Sequence, residues 1–422
     1  MMFYKETNFK ETPIGKIPKD WEVVMFSDVV NTLPGFAFSS KFFSKEKGIP
    51  LIRIRDLGKD STETFYNGPY EEEYLVEKGD ILVSMDGEFN VCLWKGPSGL
   101  LNQRVMKIWP KCKEKLDALY LYYVSQKPLK SFEYQIAATT VKHLLTEHFR
   151  LIKIPLPTEI KEQQKIAEVL STIDEAIQKT NEIIAKTERL KKGLMQELLT
   201  KGIGHKEFKD TEIGRIPKEW EVVRLETIGD IVNGFAFPIK YQGKKGSKYI
   251  FVKVSDTNLP GNEKYIFVTE NTIDDEVAEK LGAKIYPPGT LIFPKIGMVI
   301  YLRKVRILAK GGTFDNNIMG IVPNEKIMNR EFLYYLLLEK IDLTKLVGRT
   351  TAPSIRKSEV EKLKIPCPSL SEQQKIAEIL STIDKKLEIE RKEKARLERI
   401  KQGLMDLLLT GKIRVKVNHI VP

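Results

Sequence analysis

The chain repeats itself, and that repetition limits its architecture more than any other feature. Residues Phe9–Val24 return 199 residues later as Phe208–Val223, sharing the phrase Ile-Gly-x-Ile-Pro-Lys-x-Trp-Glu-Val-Val. Gly35-Phe36-Ala37-Phe38 recurs at the same offset as Gly234-Phe235-Ala236-Phe237. A second block, Glu162 through Asp174, reappears 210 residues later as Glu372 through Asp384, with 12 of 13 positions identical and only Val169 changed, to Ile379. At 422 residues the chain is about three times an average domain, and a tandem duplication accounts for that length.

Between the shared blocks lie two dissimilar stretches, 25–157 and 224–368. Both read as mixed and mostly β. Ile49–Ile54 and Tyr249–Val254 have strand composition, as do Asp80–Val83 and Thr290–Phe293, each preceded by a turn glycine, Gly79 or Gly289. One helix per copy is expected, around Leu116–Gln126 and Arg330–Lys340. Each stretch ends in Lys-Ile-Pro-x-Pro (Lys153–Pro157 and Lys364–Pro368), whose prolines stop any helix. The fold class is α+β.

After each proline pair the apolar period becomes helical. A 4-3 spacing picks out Ile166, Leu170, Ile173, Ile177, Thr180, Ile184, Thr187, Lys191, Leu194 and Leu198. The second copy gives Ile376, Leu380, Ile383, Leu387, Glu390, Lys394, Leu397, Lys401, Leu404 and Leu408. This is a coiled-coil seam, apolar at both ends and polar in the middle. Ser369-Leu370-Ser371-Glu372 fits a capping box at the second start, and Gly202 and Gly411 fit as stops. Parallel pairing would set Lys191 against Lys401 on the seam. Antiparallel pairing instead sets Ile166 against Leu408, Leu170 against Leu404 and Leu194 against Leu380, so the helices are expected to oppose each other. Each would be about 60 Å long.

The expected organisation is therefore two globular domains, 1–157 and 204–368, separated by an antiparallel coiled coil of two long helices, 158–203 and 369–411, with pseudo-two-fold symmetry and a tail, 412–422. Duplex DNA, itself two-fold, matches such an object; a spacer of that length corresponds to one or two turns of B-DNA at ~34 Å each.

Charge agrees with a polyanionic partner. The net charge is +12, from 69 basic and 57 acidic residues. Residues 51–100 carry a balance of −5 and residues 101–150 one of +5; in the second copy 251–300 carry −2 and 301–350 carry +4. The later half of each variable stretch is thus the candidate phosphate-facing surface. Its cations are Arg104, Lys107, Lys127, Lys130 and Lys142, then Arg303, Lys304, Arg306, Lys310, Lys345, Arg349 and Arg356. Base edges are read by Arg, Asn and Gln. Asn102-Gln103-Arg104 aligns with Asp315-Asn316-Asn317, and each triplet fits either base reading or an Asx turn at a strand entry. Asn90 and Lys295 lie in dissimilar loops after the strands at 81–84 and 291–294.

Enzymatic constellations are missing. The sequence has no Gly-x-x-x-x-Gly-Lys-[Ser/Thr] phosphate loop, no Gly-x-Gly-x-x-Gly turn, no Asp/Asn-Pro-Pro-aromatic tetrad and no Cys-x-x-Cys. His143 and His148 are five apart, a spacing that fits no standard zinc pattern, and His205 and His419 are scattered. Asp86 and Glu88 invite a metal reading, but their aligned residues are Ile296 and Met298. No metal site is expected. Three cysteines and the absence of a long apolar run point to a reducing cytoplasm and no membrane.

The twice-written Ile-Gly-x-Ile-Pro-x-x-Trp-Glu-Val-Val, the Ile-Pro-x-Pro ending and the Glu-Gln-Gln-Lys-Ile-Ala-Glu helix opening resemble the specificity (S) subunit of type I restriction–modification systems. The resemblance spans essentially the whole chain. It implies a non-catalytic DNA-binding subunit in which two target recognition domains, 1–157 and 204–368, each read one part of a split sequence in double-stranded DNA. The spacer helices would fix the gap and dock modification (M) methyltransferase subunits, two of them. It further implies that M subunits carry S-adenosylmethionine and methylate adenine, and that restriction (R) subunits use ATP and Mg; this chain would hold no cofactor. The family's circular arrangement implies that the tail Lys412–Pro422 folds back near the N-terminal segment. Two other classes compete: a coiled-coil scaffold that does not read DNA, disfavoured by the basic surplus, and a self-sufficient DNA enzyme, disfavoured by the absent motifs.

Overall fold

Each long helix begins as soon as its proline pair allows. In the computed structural model, which describes residues 3–135, 142–347 and 353–416, the first runs over Ile160–Lys201 and the second over Leu370–Leu408. Both stop at a left-handed glycine, Gly202 (φ 66°) and Gly411 (φ 68°), where a side chain would be strained. None of the seam positions is exposed, whereas Ile183, Leu190, Ile389 and Ile400, off the seam, are.

The chain forms two compact units, Met1–Asn181 with Lys392–Pro422, and Glu182–Arg391. Each unit takes part of both long helices. In the first, Asp174 pairs with Lys401 at 2.6 Å; in the second, Lys191 pairs with Asp384 at 2.5 Å and Glu188 with Arg391 at 2.6 Å. In the second unit the partner's number falls as the first rises, and in the first unit Ile166 and Leu170 share a core with Leu408 while Asp174 meets Lys401, so the helices run antiparallel within each unit. The two lysines that parallel pairing would oppose each have a carboxylate instead.

In the first unit a four-stranded antiparallel sheet has the order Val91–Leu93, Ile81–Ser84, Val105–Pro110, Val30–Pro34. A second sheet contains one parallel pairing, Ile49–Ile52 with Gly99–Leu101. The second unit repeats this plan. Gly229–Asn233, Ile318–Pro323, Leu291–Pro294 and Arg306–Leu308 are successive neighbours, and Tyr249–Val252 pairs in parallel with Gly312–Phe314. The shared Phe9–Val24 and Phe208–Val223 segments each open with a hairpin, Phe9–Thr12 with Gly15–Pro18 and Phe208–Thr211 with Gly214–Pro217. Phe3–Lys5 pairs antiparallel with Ile413–Val415; residues 417–422 of the tail lie outside the described residues.

Helix content exceeds the expected one per copy. The first domain helix is longer, Ala118–Gln135, and runs through Pro128. In the second, Arg330–Tyr335 continues as a wider π turn, Leu336–Lys340. An additional helix, Asp275–Leu281, starts at Asp274, whose carboxylate accepts from Val277 N (2.8 Å), and ends at Gly282.

The repeated Glu162–Asp174 block is the foot by which each long helix stands on its domain. Ile166, Ala167 and Leu170 join Met405, Leu408 and Leu409 in one core with Trp21, Tyr120 and Tyr123; Ile376, Ala377 and Leu380 join Met195, Leu198 and Leu199 in another with Trp220, Phe332 and Tyr335. Burying each such aliphatic side chain stabilises by about 1.5–3 kcal/mol. The seam ends are therefore domain core as well as coiled coil. Gln163, fully buried, donates to Lys115 O and Pro157 O and accepts from Asp117 N, all at 2.9 Å. Gln373 does the same with Ile327 O, Pro368 O and Asn329 N. Asp174 accepts from Tyr123 Oη at 2.8 Å and Asp384 from Tyr335 Oη at 2.6 Å; burial first and then the carboxylate bond drive both phenols well above their ordinary range. The expected capping box is half made: Ser369 Oγ accepts from Glu372 N (3.3 Å), but the Glu372 carboxylate accepts from Trp220 Nε1 (3.0 Å) instead.

Candidate nucleic-acid interface

In each unit four segments meet beside the strand that follows the turn glycine, and backbone bonds fix their order. In the first, Phe36 N donates to Leu101 O (3.0 Å), Met85 N to Arg104 O (2.9 Å), Gly87 N to Lys142 O (3.0 Å) and Leu144 N to Met85 O (2.7 Å). In the second, Phe235 N donates to Phe314 O (3.1 Å), Lys295 N to Asn317 O (2.8 Å), Gly297 N to Pro353 O (2.8 Å) and Ile355 N to Lys295 O (2.9 Å). The repeated Gly-Phe-Ala-Phe supplies the close approach: a Cβ on Gly35 would sit 2.1 Å from Asn102 O, and one on Gly234 would sit 2.0 Å from Asp315 O. Isolated bridges Asp86–His143 and Ile296–Ser354 complete the match. Asp86, Arg104 and His143 of the first copy thus occupy the places of Ile296, Asn317 and Ser354 in the second.

The side chains at those places differ in kind. Asp86 receives Arg104 Nη1 at 2.9 Å on one oxygen and His143 Nδ1 on the other. In the second copy the frame is neutral and partly apolar. A short 3-10 turn, Met298–Leu302, exposes Met298, Tyr301 and Leu302, and Ile296 is exposed beside it. Apolar groups of this kind suit thymine methyls, whereas an Arg fork suits paired acceptors.

The aligned triplets are not surface-equivalent. Asn102 is buried with its Oδ1 unpartnered, while Gln103 and Arg104 are exposed. Asp315 is buried, and its carboxylate accepts from Asn317 N at 2.8 Å, which makes the Asx turn; burial raises its pKa. Asn316 is exposed.

The candidate cations separate by what they already hold. Lys107 is half-buried, donating to Leu75 O (2.8 Å) beside Asp80 (3.4 Å). Arg306 is half-buried, its guanidinium donating to Val305 O and Thr257 O with Nε unpartnered; burial lowers its pKa. Lys127 pairs with Asp406 on the second long helix at 2.9 Å. Lys130 and Lys142 flank Glu133, at 2.9 and 3.9 Å, over the exposed ring of Tyr134. Lys295 donates to Asn233 Oδ1 at 2.7 Å, and burial lowers its pKa. Arg303 pairs with Asp342 at 2.8 Å, and Lys304 bonds Asn258. Asn90, Lys310, Lys345 and Arg356 are exposed. Arg349 lies outside the described residues. Sequence reasoning overlooked Asp86 and His143 as partners of Arg104, and it overlooked the exposed turn at Met298–Leu302. The apolar run Met298–Leu302 in a loop after a strand was the available signal for the latter.

Among the described residues no group of three or more His, Cys, Asp or Glu could hold a metal ion, and no helix is long and apolar enough to cross a membrane.

The profile of the family described as "Type I restriction modification DNA specificity domain" matches residues 18–189 and 217–399. The chain belongs to that family. It is 34% identical over 425 residues to the Type I restriction enzyme MjaVIII specificity subunit of Methanocaldococcus jannaschii, spanning 99% of this chain and 98% of the relative. Similarity to the putative type I restriction enzyme MjaX specificity subunit of the same organism is also 34%, over 439 residues and 99% of each chain. The S subunit of a type I restriction–modification system from M. genitalium shares the fold, with a TM-score of 0.62 at 15% identity over 94% of this chain and 97% of that one. The two matched segments coincide with the two copies, each running from the shared hairpin region into its long helix.

Proposed function

We propose that this chain is the DNA-reading subunit of a type I restriction–modification complex. Each recognition domain binds one part of a bipartite sequence in double-stranded DNA, and the paired helices set the spacing and dock two modification subunits. The chain itself is non-catalytic; S-adenosylmethionine, ATP and Mg belong to the modification and restriction subunits, and the complex works in the cytoplasm. The division is 1–157 and 204–368 for the recognition domains, 158–203 and 369–411 for the spacer helices, and 412–422 for a tail returning to the N-terminal segment.

One observation carries this reading: a matching set of backbone bonds in both copies presents different side chains at one loop cluster. A scaffold has no use for that difference, whereas two unlike half-sites require it. Gln103, Arg104, Asn90 and Asn316 stand at or beside the cluster as base-reading candidates, with Lys310, Lys345 and Arg356 as phosphate-binding candidates.

Inserting one whole turn at matched positions in both long helices should lengthen the gap of the methylated motif and keep both of its parts. Methylome sequencing of cells carrying the edited gene reads this directly. An unchanged gap would refute the ruler, and loss of all sequence preference in the assembled wild-type complex would refute DNA reading.

A further inference from the structure

Resting on the reading that each domain binds part of a DNA sequence, we infer that Arg104 reads a guanine in the half-site of the first domain, with Asp86 and His143 as its positioning residues, and that the second domain has no charged counterpart.

The duplication supplies an internal control. Ile296, Asn317 and Ser354 replace the three charged or titratable side chains, yet the same backbone bonds form around them. The frame therefore does not need the Asp86–Arg104–His143 cluster. Stability explains it only in small part: Asp86 is 14% exposed, but the Arg104 side chain is 63% exposed, and a pair open to solvent on that side contributes little.

Arg104 also sits in the left-handed region at φ 71°, which an L side chain other than Asn or Asp rarely adopts. The residue type that tolerates such a conformation, Asn, stands at the equivalent position 317, where φ is not positive. The costlier residue occupies the strained position, a pattern found at binding sites.

The chemistry then selects the target. Asp86 holds one guanidinium nitrogen, Nη1, and among the described residues Nη2 and Nε hold no partner. What remains is one edge of a planar guanidinium on a largely exposed side chain, a fork of donors that matches O6 and N7 of guanine. The Asp86 carboxylate offsets the charge of the guanidinium, which favours a neutral base edge over a charged phosphodiester. His143 occupies the other Asp86 oxygen and so keeps the carboxylate from turning away.

The test uses the assembled complex with its modification subunits and a library of randomised duplexes. Arg104→Ala should lower affinity for the preferred sequence about tenfold or more and abolish preference for G at a single position of one half-site. The other half-site and the salt dependence should stay as in the wild type. Arg104→Lys keeps the charge but lacks the fork, so it should lose the same preference while melting like the wild type. Asp86→Asn should lose part of the preference, and Asn317→Ala should alter only the other half-site. A uniform loss across all sequences, with a salt slope reduced by about one, would make Arg104 a phosphate contact and overturn the inference. So would an intact motif in Arg104→Ala, or loss of a preference for a base other than G. A wild-type complex without any preference would overturn the DNA-reading function itself.

Discussion

The first unit and the second begin their helix feet with the same pair of side chains and complete them differently. Trp21 Nε1 donates to Glu162 and Trp220 Nε1 to Glu372. Glu162 then meets Arg414, which also holds Glu6 and Asp20 and stacks over Trp21. Glu372 instead meets His205, whose other nitrogen faces the exposed Glu219. In both cases the third partner arrives on the segment that follows the opposite long helix. Burial opposes the charge of Arg414, but hydrogen bonds to Glu162, Asp20 and Glu6 outweigh it and hold its pKa above the ordinary value. One foot is thus closed by a permanent cation shared among three carboxylates, the other by a group whose charge depends on protonation. The lesson is that a duplicated block keeps its role through the contacts both copies make, while the third partner of its carboxylate is free to differ in kind.

Removing that third partner separates the feet most sharply. Arg414→Met leaves the buried Glu162 and the half-buried Glu6 without their cation, so the first unit should lose about 3–5 kcal/mol. His205→Gln keeps a donor for Glu372 and should cost the second unit no more than about 1 kcal/mol. Denaturant unfolding followed by hydrogen exchange, peptide by peptide, checks both; equal losses would mean that the feet are equivalent after all.

The equivalence itself is tested by cavities. Leu170 and Leu380 are fully buried at matching places, and truncation of either to Ala should cost about 2–5 kcal/mol in its own unit. A difference beyond about 2 kcal/mol between the two would break the claim that the repeated block packs alike.

Acid should act more gently, weakening the first unit and acting in both senses in the second, where Asp275 and Asp342 are held low while Asp256 and Asp315 are raised. Burial pushes the Glu6 carboxyl up, but bonds from Asn8 N, Arg414 and Thr7 N prevail and hold it below the usual 4.5; Glu133 is lowered by Phe89 N and Lys130 in the same way. Their contribution is complete above 4.5 and is lost as pH falls through the lower folded values. In the second unit burial raises Asp256 and Asp315 above 3.8, so their protonation on acidification favours the folded form. Below pH 4.5 a brief pepsin pulse with mass mapping should therefore cut the first unit before the second. Simultaneous cleavage would erase this distinction.

Much of this was legible beforehand because it rests on local pattern. The seam Ile166–Leu198 and its counterpart appear as a 4-3 period, the stops as glycines at 202 and 411, and the antiparallel sense follows from two lysines that could not share a layer. The candidate interface was legible only in part. Asn102 and Arg306 have the right chemistry for DNA, but one is buried and the other spends its guanidinium on backbone carbonyls. Side-chain type does not reveal which face of a loop points outward.

The sequence by itself determined the duplication, the two helices and their opposed direction, since hydrophobic period and like-charge repulsion act between residues whose spacing is written in the chain. Only the tertiary structure decided that Asp86, Arg104 and His143 stand together and that Glu162 closes on Arg414. Those groups are separated by up to 252 positions and become neighbours only after the strands pair and the helix feet dock.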